Sequence, residues 1–158
     1  MKGNPGEDPD LSIRLWKMGF ATKLFSDSYV YHKRRIDWAK FHKQVNKFGK
    51  ARPILDLWHP EYKKITFLFP TLFMIGLVCS LILLLIDVQI GIYLYILYAV
   101  MILVVSAIQN KSLKIGMLSV AAVFIQFYGY GGGYLKSFIA VHVLKEDPKK
   151  AFPELFFK

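Results

Sequence analysis

With 158 residues, 54% of them hydrophobic, and a mean hydropathy of +0.35, the chain is too apolar, and its apolar residues too blocked together, for one ordinary soluble domain. The formal charge of +10 is uneven: residues 1–64 hold fourteen Lys/Arg against seven Asp/Glu, 65–135 hold two against one, and 136–158 hold five against three. A basic block ahead of the first apolar run is the positive-inside pattern of an integral membrane protein and suits anionic headgroups, so no nucleic-acid partner is expected, and a single cysteine, Cys79, excludes disulfides and cysteine-held metal within one chain.

The chain opens without an apolar leader, so no cleavable signal is expected and insertion falls to internal spans. Gly6-Glu7-Asp8-Pro9-Asp10-Leu11-Ser12-Ile13-Arg14-Leu15 reads as an acidic turn running into a helix, with Asp8 or its neighbour as cap and Pro9 as first helical residue. Leu11, Leu15 and Met18 fall at i, i+4 and i+7, and Gly19 is a natural stop. From Phe20 to His32 aromatic and β-branched residues surround a Ser-Asp-Ser break, which predicts a strand, a turn and a second strand.

A second helix is predicted over 37–50, capped by Asp37 and ending near Gly49. Its wheel sets Trp38, Phe41, Val45 and Phe48 against Lys40, Lys43, Lys47 and Lys50, a pattern that fits a helix in the membrane interface or one packed on its own domain. Trp58, Tyr62, Lys63 and Lys64 then form an aromatic and basic girdle. Spans are predicted at about 65–86 and 88–108, a tight hairpin turning at Asp87, and at about 115–135. The third carries Gly129 and Gly131-Gly132-Gly133, which predict a break or re-entrant bend, and 136–158 reads as a basic tail.

The acidic turn with Arg14-Leu15 and Gly19, then Tyr31-His32, a basic aromatic helix and spans, resembles the C-terminal portion of membrane-bound family 2 glycosyltransferases, inverting enzymes of the GT-A fold. The resemblance implies an α+β edge of a GT-A-like domain over 1–64, followed by an α-helical membrane region: an interfacial helix, a two-span hairpin and a third, broken hydrophobic segment. It also implies a hexosyltransferase that moves sugar from a nucleotide-sugar donor to a lipid-linked or polysaccharide acceptor, in cell-envelope or exopolysaccharide synthesis, at the cytoplasmic side of the plasma (inner) membrane. By match of motif, Asp8 is the base that takes the acceptor proton and Glu7 is its neighbour in the acidic pair. The chemistry suits that placement, since attack on an anomeric carbon needs a carboxylate within reach of the acceptor hydroxyl; Asp before Pro at a helix start is equally a common cap.

His32 corresponds to a histidine that helps bind the donor's Mg²⁺ or Mn²⁺. Gln44-Val45-Asn46-Lys47-Phe48 is similar to the Gln-x-x-Arg-Trp element of processive relatives, placing Gln44 and Lys47 by acceptor or diphosphate. Lys for Arg loses the bidentate fork and suits transfer of single sugars. Arg34 and Arg35 could meet the diphosphate or lipid headgroups. Neither a nucleotide-binding half nor an Asp-x-Asp element precedes Glu7, so a fragment inactive by itself is expected. The rival expectation is a small non-enzymatic scaffold whose lysine row grips anionic lipid and whose spans bind partner helices; a transporter component is weaker, the spans holding almost no ionisable group besides Asp87.

Overall fold

The computed structural model describes residues 7–31 and 37–156. Among them every regular element is helical: α1 (Glu7–Lys17), α2 (Trp38–Trp58), α3 (Phe69–Leu84), α4 (Ile90–Asn110), α5 (Leu113–Phe138) and the single turn α6 (Pro148–Ala151). Short 3-10 turns occupy Pro60–Tyr62, Ile65–Leu68 and Pro153–Leu155, and a π-turn follows α5 at Ile139–Val143. With no strand among the described residues, the expected α+β edge of a GT-A-like domain is overturned. Residues 20–31 do turn at Ser26-Asp27, where the Ser28 N–H donates to the Phe25 carbonyl at 3.3 Å, but no ladder forms. Strand-compatible composition needs a neighbouring strand to satisfy the backbone, and a two-stranded ribbon alone is marginal. Leu24 and Tyr31 accordingly stand 94% exposed.

Helix α2 is capped by Asp37 as expected: its Oδ1 accepts from Ala39 N–H at 2.7 Å and Lys40 N–H at 3.2 Å. These backbone donors, Lys40's and then Ala39's, hold the Asp37 carboxyl below its usual value. The helix then passes the predicted stop at Gly49 and runs to Trp58 through Pro53. Packing overrides the local breaker signals here. Val45, Gly49 and Pro53 repeat every four residues along a buried face pressed onto the second half of α5, while Trp38 and Phe48 remain exposed. Lys40 pairs with its own cap, and Lys50 reaches Glu154 at 3.0 Å.

The glycine run does not break α5, contrary to expectation. Gly129, Gly131 and Gly133 are buried within a continuous helix because they let other backbones approach. A Cβ at Gly133 would collide with the Asn46 carbonyl, and one at Gly131 would come 2.7 Å from the Pro70 carbonyl oxygen. Gly49 meets the Tyr130 carbonyl from the opposite side. The Asn46 amide donates to the Gly129 carbonyl at 2.9 Å, closing the seam with a hydrogen bond.

Among the described residues three helices are long and apolar enough to cross a membrane, Ile65–Leu84, Ile90–Asn110 and Leu113–Val143, and they make this a membrane protein. They join end to end in contact. Ser80 of α3 packs on Gly91 of α4, Ser106 of α4 lies 2.7 Å from Ser119 of α5 through their hydroxyls, and Gly131 of α5 returns to Pro70 at the start of α3. Phe73 sits at the junction, its ring centroid 4.8 Å from Tyr95 and 4.7 Å from Phe127. The tail is ordered onto α2: Phe152 and Leu155 bury against Ala51, Ile54, Ala140 and Val141, and Trp58 meets Phe156 edge-on.

Candidate functional site

Among the described residues α1 runs from Glu7 to Lys17, with Asp8 and Pro9 inside the helix near its N-terminal end. The helix stops as expected at Gly19, whose φ of +85° is the left-handed conformation glycine adopts freely. Its docking face differs from the predicted one. Leu11 and Met18 are 53% and 71% exposed, whereas Ile13 is buried. The inward face is Asp10, Ile13 and Lys17, spaced three and four residues apart.

That face meets the C-terminal end of α2. His59 Nε2 lies 2.8 Å from Asp10 Oδ1, and its Nδ1 lies 2.9 Å from Lys17 Nζ. A lysine ammonium has only hydrogens to offer, so Nδ1 accepts from Lys17 and Nε2–H donates to Asp10, which defines the Nε2–H tautomer. Lys17 continues to Glu61 at 2.6 Å, and that hydrogen bond holds the Glu61 carboxyl below its usual value. Arg14 approaches Asp10 from the exposed side at 3.7 Å. Trp16 packs against Tyr62 with centroids 5.8 Å apart and donates its indole N–H to Thr22 at 3.1 Å.

Below this network Arg52 ties the linker to α2. Its Nη2 donates to the Tyr62 carbonyl at 2.9 Å and lies 2.8 Å from Asp56 Oδ1, while the guanidinium sits 3.7 Å from the centroid of the Phe67 ring. The acidic helix is thereby coupled through His59 and Tyr62 to the entry of α3. Between α3 and α5 an apolar groove of about 320 Å³ is lined by Phe73, Met74, Leu77, Phe124 and Tyr128, with His42 of α2 as its polar wall.

Of the residues singled out from sequence, Asp8 is exposed near the N-terminal end of α1, and Gln44 and Lys47 are half-buried on α2. Among the described residues no hydrogen bond or ion pair joins Asp8 to either of them. Glu7 lies in α1, and its side chain lies outside the described atoms. His32, Arg34 and Arg35 lie outside the described residues. No group of three or more His, Cys, Asp or Glu that could hold a metal ion occurs among the described residues, so no Mg²⁺ or Mn²⁺ site is assembled by them. Sequence reasoning missed Asp10, Lys17, His59 and Glu61, whose only local signal was the shared face of Asp10 and Lys17; nothing in the sequence joins that face to His59. Comparisons with protein-family models, curated proteins and solved structures gave no match.

Proposed function

We propose that the chain is the acceptor-side and membrane-anchor part of a family 2 glycosyltransferase, moving a sugar from a nucleotide-sugar donor to a lipid-linked or polysaccharide acceptor at the cytoplasmic side of the inner membrane. The observation that carries the reading is the coupling of α1 to the membrane-proximal end of α2 through Asp10, His59, Lys17 and Glu61. Asp8, with no hydrogen-bond or ion-pair partner among the described residues, is exposed in the N-terminal part of α1, where the helix dipole favours a carboxylate. A carboxylate held there is disposed to accept an acceptor hydroxyl's proton as that oxygen attacks the anomeric carbon. Asp10, bonded to His59, serves as a positioning residue. The apolar groove beside His42 adds support, being matched to the hydrocarbon of a lipid-linked acceptor.

The test is transfer of radiolabelled sugar from a panel of nucleotide sugars into lipid-extractable or polymeric product, in membranes from cells making the gene product that carries this chain. Asp8→Asn is expected to lower turnover by about 100-fold or more with membrane content of the protein unchanged. Transfer unaffected by Asp8→Asn, or no transfer from any donor, overturns the reading. The second reading, a non-enzymatic membrane scaffold, is favoured by the exposed Trp38 and Phe48 beside Lys40 and Lys43. It expects Asp8→Asn to be silent and Lys40→Gln with Lys43→Gln to weaken binding to partner proteins or anionic lipid.

A further inference from the structure

We infer that the chain meets the membrane as two crossings and one surface-bound helix: α3 and α4 traverse the bilayer, while α5, though of spanning length, stays on the face from which α3 entered. Three span-length helices in series would put α2 and the tail on opposite faces, about 30 Å of hydrocarbon apart. They are instead in direct contact, through Lys50 and Glu154 at 3.0 Å and through Phe152 and Leu155 on Ala51 and Ile54. The far part of α5 is likewise held at the entry of α3, since Gly131 packs on Pro70 and the Thr71 hydroxyl donates to the Gly131 carbonyl at 3.4 Å. Contact at both places makes the number of crossings even.

Which two helices cross follows from length and charge. From Gly129 onward α5 lies along α2, a helix carrying Lys40, Lys43, Lys47, Lys50 and Arg52 that cannot be sunk in hydrocarbon. Residues 113–128 are the remainder of α5, about 24 Å at ~1.5 Å per residue, short of the ~30 Å apolar core. Helix α5 is also the least apolar of the three. Lys111 in the turn joining α4 to α5 and Lys114 in the first turn of α5 match the basic block before α3, whereas the turn joining α3 to α4 carries only Asp87 as a charged residue. The lysine-bearing turn therefore belongs on the basic face and Asp87 on the opposite one.

The inference is independent of sugar transfer. In a Cys79→Ser background, single cysteines at Ser26, Asp87, Lys111 and Lys145 are labelled with a membrane-impermeant maleimide in right-side-out and inverted vesicles. Ser26, Lys111 and Lys145 variants are expected to label in one orientation and the Asp87 variant in the other. Lys145 labelling together with Asp87, or Lys111 labelling together with Asp87, overturns the inference, and Ser26 labelling opposite to Lys145 does so as well. Each variant's correct insertion is checked by retention of its signal in membranes after alkaline extraction.

Discussion

His59 concentrates the consequences of the fold in one imidazole. Its two ring nitrogens hold Asp10 and Lys17, so it fixes α1 at two points three to four residues either side of Ile13. Replacing it by Ala leaves the partly exposed Asp10 carboxylate with only Arg14 and the Lys17 ammonium with only Glu61, and is expected to cost about 1 kcal/mol of α1 docking. Faster proteolytic cleavage within residues 18–31, with the apolar helices intact, is the readout. Glu61 adds a pH dependence to the same attachment. Its depressed carboxyl contributes stability above its unfolded value, near 4.5, and that contribution is lost as pH falls through the folded value. Trp16 emission, followed with Trp38 and Trp58 replaced by Phe, should therefore report release of α1 on acidification below about pH 4.5 and no release on raising the pH from there to neutrality.

At the level of elements, the seam between α2 and α5 is a contact of backbones. Gly49 faces the Tyr130 carbonyl and Gly133 faces the Asn46 carbonyl, and neither wall can yield as a flexible side chain would. Gly133→Ala is expected to destabilise by about 1–3 kcal/mol through overpacking. Gly132, one residue away, has open space around its missing Cβ, so Gly132→Ala is expected to be neutral or to stabilise by up to about 1 kcal/mol through helix propensity. Thermal stability of the two variants in one detergent separates these outcomes, and equal behaviour would remove the seam from the explanation. The contrast also accounts for the unbroken helix: glycine's entropic cost in a helix is met here by interhelical contact that larger residues would prevent.

For the whole molecule, the tail closes the fold upon itself. Phe152 is 2% exposed and Leu155 3%, and Glu154, raised by burial but lowered by the combined effect of its Lys50 hydrogen bond, a backbone hydrogen bond and the Lys50 and Lys136 charges, stays below its usual value. Phe152→Ala is expected to cost about 3–5 kcal/mol, as for a large buried side chain removed from a packed site. Loss of the Lys50 contact and proteolytic release of residues 144–158 would register it. A tail that stayed protected in Phe152→Ala would show that α2 and the tail are held by something other than this cluster.

Much of the chain was legible from its residues. The Asp37 cap, the Gly19 stop, the Ser26-Asp27 turn and the apolar runs followed from groups interacting within a few positions, where periodicity and capping chemistry act alone. The length of α2 past Gly49 and Pro53, the continuity of α5 through its glycines, and the absence of a ladder in 20–31 were decided by tertiary structure. In each case the deciding partner is remote: Tyr130 for Gly49, Asn46 for Gly133, and, for the strand-like segment, a neighbour not found among the described residues. The acidic start of α1 was plain in the sequence, but its coupling to His59, forty-nine positions beyond Asp10, was not. Local composition by itself determined that this protein enters a membrane behind a basic block; only the packing of α5 and the tail back onto α2 decided how it returns, because backbones in contact cannot stand on opposite sides of a bilayer.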